Sequence, residues 1–223
     1  MIIGPGISPR DGHSAQSDWS QIALRTSRLT LRPLHDRDLA AYIAALQASD
    51  SYFAQWMPAP ADMGVDSIEA LAHRQLDRAR FSHTERCACR LVGVDSQGRL
   101  VGSFNLNNVV RGVLQNTDAG WSVNAGFTRQ GFATEAMAAM LRLALLPEPL
   151  RGNPVRWGSD HGLGLHRVQA AIIPTNTASL AVARKLGLRH EGLARRYVKI
   201  AGLWQDHELF AVTSEELASL PAV

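Results

Sequence analysis

Residues 121–146 read WSVNAGFTRQGFATEAMAAMLRLALL. Trp121-Ser122-Val123 has the alternation and the aromatic and β-branched content of a short strand. The chain then passes Gly126 into a turn ending at Gly131. From Ala133 to Leu146 nearly every residue is a strong helix former, with Met137, Met140, Leu141 and Ala144 at helical spacing and Glu135 in the first turn. At a strand-turn-helix junction the first helical amides lack backbone partners, and the helix dipole favours an anion there. The N–H groups of Gln130, Gly131, Phe132, Ala133 and Thr134 are therefore expected to converge on one spot, and phosphate is the natural guest. Gly131 permits close approach, and Arg129 adds a charge-assisted contact. The G-x-G-x-x-G spacing of a Rossmann turn is absent from this stretch.

Working outward, 223 residues suffice for one domain with a full core. Apolar content of 46% and charged content of 19% are those of an ordinary globular chain. No apolar run approaches the ~20 residues that span a bilayer. Residues 1–20 lack the basic start and apolar block of a signal peptide and are read as an N-terminal extension. The domain is expected over 21–215, followed by a C-terminal tail over 216–223, in a cytoplasmic protein with no membrane partner. The net charge is +3 and the basic residues are scattered, which argues against direct nucleic-acid binding, an activity that needs a contiguous basic face. Cys87 and Cys89 are too close in sequence for an ordinary disulfide and have no second pair to complete a zinc site, so they are read as buried or half-buried thiols in a strand. His161 and His166 have no acidic or cysteine partner at ligand spacing and are read as surface histidines; no metal is expected.

Along the chain, Leu24 to Leu34 reads as an opening strand, Asp36 to about Ser49 as a helix with Leu39, Tyr42, Ile43 and Leu46 on one face, and YFAQWMPAP as a loop. Trp56 and Met57 in that loop either pack in the core or line a substrate site. A second helix enters at Asp66 or Ser67 and runs to about His83. Ala88–Val94 and Leu100–Leu106 form a hairpin about Asp95-Ser96-Gln97-Gly98, and Arg111 to Asp118 reads as a polar loop. Pro147 to Gly164 reads as a long loop, His166 to Ile173 as a strand, and Asn176-Thr177 as the cap of a helix that reaches Leu186 and stops at Gly187. Strands over Leu188–Ile200, kinked at Glu191-Gly192, and Trp204–Val212 close the chain. The order implies an α/β (α+β) domain with a mixed sheet.

Five short motifs in this order resemble the GNAT superfamily of acyl-CoA-dependent N-acetyltransferases, and within it the RimJ/RimL type that acetylates protein N-termini. They are RLTLRPL, TRQGFATEA, PTNTAS before a helix ending KLGL, HEG, and GLWQDHELFAV, spanning about Leu24 to Val212. The resemblance implies a GNAT fold with a mixed central sheet of about seven strands and about four helices, acetyl-CoA as co-substrate and no metal. The family's pyrophosphate loop, Q/R-x-x-G-x-G/A, matches Thr128 to Ala133 at Gly131 and Ala133, whereas Thr128 stands where Gln or Arg is usual. The same resemblance assigns Trp121, Ser122, Val123, Asn124, Arg129, Gln130, Gly131, Phe132, Ala133, Thr134, Asn176 and Ser179 to the cofactor. Ser179 matches a serine proposed to protonate the departing thiolate. Other members carry a Tyr where Ala183 stands, which leaves Ser179 or Tyr197 as the acid.

Transfer needs a donor to the carbonyl oxygen, for which a backbone N–H at Val123 or Asn124 is available, and a base for the amine. Asp206, His207 and Glu208 on the last strand are the candidates, with His207 sent opposite to its neighbours by alternation, and a water chain is the equal alternative. Direct attack in a ternary complex leaves no role for Cys87 or Cys89. The expected acceptor is a protein N-terminal amine, for instance of a ribosomal protein, or else a small amine. A non-catalytic CoA-binding or ribosome-associated module is the alternative, and the 147–164 loop is a candidate for acceptor access or a homodimer contact.

Overall fold

A computed structural model describes residues 22–147, 161–200 and 202–221. The sheet is built on the alternation in β3 (Cys89–Asp95) and β4 (Leu100–Val110). Leu91, Val101, Phe104 and Leu106 enter the main core, while Val92, Val94 and Leu100 meet Leu34 and Leu76 in a smaller one, so both sheet faces are covered. The remaining strands are β1 (Leu24–Arg25), β2 (Leu29–Arg32), β5 (Asn116–Val123), β6 (Arg167–Ile172), β7 (Arg189–Ile200) and β8 (Leu203–Thr213). Their spatial order is β1-β2-β3-β4-β5-β6-β8-β7, and β5–β6 is the parallel pair. A parallel connection requires a crossover, supplied by helix α3 (Phe132–Leu145). This helix is buried along most of its length, with Met137, Met140, Leu141 and Ala144 fully inside. Helix α4 (Thr177–Lys185) shares its face of the sheet, whereas α1 (Leu39–Phe53) and α2 (Ile68–Glu85) lie over the smaller core, where Leu39 and Tyr42 pack.

The fold is the expected mixed sheet with four α-helices, carrying eight strands. The extra strand arises because the opening run is broken at Thr26-Ser27-Arg28, where Thr26 N–H donates to the Leu29 carbonyl (2.9 Å) and Leu29 N–H to Thr26 Oγ1 (3.0 Å). The region read as a polar loop before Asp118 already belongs to β5 from Asn116. Its polar side chains are satisfied in place: Thr117 donates to the Asn107 carbonyl (2.7 Å), and the Asp118 carboxylate accepts from Asn108 (2.7 Å) and Gln169 (2.7 Å). α1 continues through Tyr52 and Phe53, beyond the expected stop at Ser49.

Most of the 147–164 loop lies outside the described residues. Where the chain reappears, Leu163 and Leu165 donate to the carbonyls of Leu143 (2.7 Å) and Ala144 (2.9 Å), satisfying the open end of α3. His161 is half-buried here rather than on the surface, while His166 is exposed. The boundary read at residue 215 falls inside a 3₁₀ turn, Ser214–Ser219, and Leu220 beyond it is buried in the main core. Cys89 is buried in β3 and Cys87 half-buried before it; burial pushes the Cys89 thiol up to about 12.

Candidate functional site

β5 and β6 pair over only three residues, Asn116↔Arg167 to Asp118↔Gln169, and then part. Their continuations, Ala119–Val123 and Ala170–Ile173, line the two sides of a cleft of about 890 Å³. Asn124 N–H donates to the Val101 carbonyl (2.9 Å), and its side-chain amide donates to the Leu100 carbonyl (2.9 Å). Hydrogen-bonded positions alternate along an antiparallel ladder, so the amides of Ala119, Trp121 and Val123 turn from β4 toward the cleft. Of the two backbone donors expected from sequence, Asn124 is spent within the sheet and Val123 remains.

The turn leading into α3 forms the next wall. Arg129 (φ 61°) and Gly131 (φ 82°) are both left-handed, which curls the chain around Gln130 and aims the following amides at a common point. Gly131 is the N-cap and no side chain caps the helix, so the amides of Phe132, Ala133 and Thr134 have no intrahelical partner. Arg129, Gly131, Phe132, Ala133 and Thr134 all line the cleft. Gln130 does not: its side chain donates to the Gly126 carbonyl (3.2 Å), and its carbonyl accepts from Arg28 (2.9 Å).

Arg28 and Glu135 hold this turn in place. The Glu135 carboxylate accepts from Thr26 Oγ1 (2.5 Å), Ser27 Oγ (3.0 Å), Arg28 N–H (2.8 Å) and Arg28 Nε (2.6 Å). The Arg28 guanidinium lies over the Phe132 ring at 4.2 Å. Burial alone raises the Glu135 pKa, but the hydrogen bonds from Thr26 and Arg28 outweigh it and hold the carboxyl below its ordinary value. Sequence reading missed Arg28, because the contact spans more than a hundred residues and only its place in RLTLRPL hinted at a role.

α4 closes the cleft from the same side. Asn176 caps it by accepting from Ser179 N–H (3.0 Å), and Ser179 also lines the cleft. The Ser179 hydroxyl makes no backward bond to a helix carbonyl among the described residues. Ala183 is fully buried in the core and does not line the cleft. Lys185, at the end of α4, does.

Register decides what β8 contributes. Glu208 pairs with Ile172 on the α4 face, bonds His190 (2.5 Å) and lines a separate depression with Leu180, Arg184 and Phe210. Asp206 accepts from Arg196 N–H (2.8 Å). Neither carboxylate lines the main cleft; His207 does, at 5% exposure and 5.8 Å from the Tyr197 ring. Tyr197 itself does not line the cleft and is 47% exposed. Tyr52, Phe53, Trp56 and Met57 complete the wall at the end of α1, so Trp56 lines the cleft rather than packing in the core. The opening thus runs through the sheet, with the turn, α3 and α4 on one face and α1 and His207 on the other.

Among the described residues no carboxylate lines this cleft, and no cluster of His, Cys, Asp or Glu could hold a metal ion. Converging amides beside Arg129 fit a phosphate-bearing ligand, and the exposed edge of β5 fits an extended amide-containing arm. Residues 28–189, nearly three-quarters of the sequence, match the family described as "Acetyltransferase (GNAT) domain". The chain belongs to the GNAT acetyltransferase family.

Among its relatives, the [Ribosomal protein uS5]-alanine N-acetyltransferase of Escherichia coli is 27% identical over 90% of this chain and 95% of its own length. The probable N-acetyltransferase YjcK of Bacillus subtilis is 32% identical over 54% of this chain, and the match spans only 59% of that relative. Mycobacterium smegmatis RimJ, solved in complex with CoA-disulfide, superposes with a TM-score of 0.76 at 27% identity, covering 91% of each chain. Among the described residues no helix of this GNAT chain is long and apolar enough to cross a membrane.

Proposed function

We propose that this protein moves an acetyl group from acetyl-CoA to a primary amine, and that the amine is the α-amine of a protein N-terminus, as the name of the E. coli relative states for ribosomal protein uS5. The observation that carries the reading is the parting of β5 and β6 over a cleft open to both sheet faces. The amides of Phe132 to Thr134 and Arg129 hold the pyrophosphate of the thioester that supplies the acetyl group. Val123 N–H donates to the thioester oxygen as negative charge develops there, and Ser179 gives its hydroxyl proton to the departing sulfur. Tyr197, whose ring lies 5.8 Å from that of the cleft-lining His207, is the second candidate for that acid.

The absence of carboxylates from the described lining favours an α-amine over a more basic acceptor. An α-amine has a pKa of about 8 and a lysine amine about 10.4, so deprotonating the latter costs about 3 kcal/mol more at a given pH. A polycationic amine would also enter without a counter-charge. The test is thiol release from acetyl-CoA with peptides beginning Ala, Ser, Thr or Met, set against lysine side-chain and polyamine acceptors. Peptide-dependent turnover lost in Ser179→Ala supports the reading and names the acid; loss in Tyr197→Phe instead moves that role to Tyr197. Turnover with small amines alone, or CoA binding without turnover, refutes it.

A further inference from the structure

We infer that His207 is the proton acceptor for the attacking amine, an assignment that rests on the acetyl-transfer reading above. Its imidazole is the one such ring lining the cleft among the described residues, and it stands on the α1 face, across the sheet from the N-terminus of α3. Nδ1 lies 3.1 Å from the Gln205 carbonyl, which can only accept, so Nδ1 carries the proton and Nε2 is left with its lone pair. The carboxylates that flank it in sequence are committed elsewhere, Asp206 to Arg196 N–H and Glu208 to His190. Ionisable groups on the enclosing elements are Tyr197 of β7, Lys185 of α4, Tyr52 of α1 and Arg129 of the turn.

The step balances simply. The ammonium form of the acceptor first gives one proton to His207 Nε2 and thence to solvent; the neutral nitrogen then bonds the thioester carbon and the C–S bond breaks. The thiolate takes the proton of Ser179, whose oxygen recovers one from the nitrogen.

The experiment is the pH profile of kcat for the wild type and His207→Gln with a peptide acceptor, together with KM for acetyl-CoA. An imidazole is the side chain whose ordinary titration falls inside such a profile. The wild type is expected to lose rate on the acidic side. The variant is expected to lose about 100-fold or more in kcat, to lose that acidic limb, and to keep its KM for acetyl-CoA. A merely structural role would lower the rate and leave the limb in place. A flat wild-type profile, or a variant that retains the limb, overturns the assignment. If His207→Gln melts well below the wild type, His207→Asn is read in the same way, and the wild-type profile alone still decides against the inference when it is flat. A wild type that transfers acetyl to no amine instead refutes the proposed function, before His207 is at issue.

Discussion

Replacing Glu135 by Ala removes the acceptor for four donors at once: Thr26 Oγ1, Ser27 Oγ, Arg28 N–H and Arg28 Nε. The Glu135 side chain is only 11% exposed, whereas Arg28 is 46% exposed and regains water when released. At roughly 0.5–1.5 kcal/mol per net hydrogen bond, and with the bottom of that range applying to the three exposed donors, the loss is about 2–3 kcal/mol. For a domain of this size that lowers Tm by roughly 4–12 °C. Arg28 also steadies the turn through the Gln130 carbonyl and the Phe132 ring, so freeing it raises KM for acetyl-CoA. A penalty of about 1 kcal/mol there corresponds to about fivefold in KM, with kcat little changed. The stability difference between wild type and Glu135→Gln is also pH-dependent. The folded carboxyl titrates below its ordinary 4.5, so the stabilisation is complete above that value and fades as pH falls through the lower folded one. Urea unfolding from pH 7 downward measures both effects. A change below about 0.5 kcal/mol for Glu135→Ala at pH 7 refutes the claim that this carboxylate organises the turn.

Three further outcomes are expected. A Cβ on Gly102 would lie 2.1 Å from the Ser122 carbonyl oxygen and 3.0 Å from Val123 Cα, so Gly102→Ala must push β5 away from β4. We expect it to cost about 3 kcal/mol or more in chemical denaturation and to impair turnover, because the displaced strand is a wall of the cleft. Glu191 is held at about 2, chiefly by its hydrogen bonds with Arg167, which outweigh the opposing effect of burial, and then by those with Arg189. Glu191→Gln should therefore lower stability at pH 7, with the difference shrinking as pH drops from 4.5 toward 2, read by urea midpoints across that range. Cys87 and Cys89 do not line the cleft, and Cys89 is too buried to ionise at neutral pH, so the double variant Cys87→Ser, Cys89→Ala should keep wild-type kcat and KM; a loss beyond about tenfold in kcat with the fold intact would count against direct transfer.

Much of this protein is legible in one dimension because the relevant physics is local. The strand-turn-helix at 121–146, the Asn176 cap, the stop at Gly187 (φ 74°) and the hairpin about Gly98 each follow from propensity, capping or left-handed geometry within a few residues. Of the lining residues, Arg129 and Gly131 to Thr134 follow with them, since an open helix end is a backbone feature of that segment, whereas Trp121, Ser122, Asn176 and Ser179 are assigned only through the resemblance to the GNAT superfamily.

What tertiary structure alone decided concerns pairs far apart in sequence. Nothing near Glu135 announces that it meets the break in the opening strand more than a hundred residues earlier and pins Arg28 beside the turn that leads into α3. Alternation along Asp206-His207-Glu208 shows that His207 faces away from its neighbours, but not which direction is the cleft. That is set by the pairing of Glu208 with Ile172, and a shift of one residue in that register would exchange the imidazole for the carboxylates.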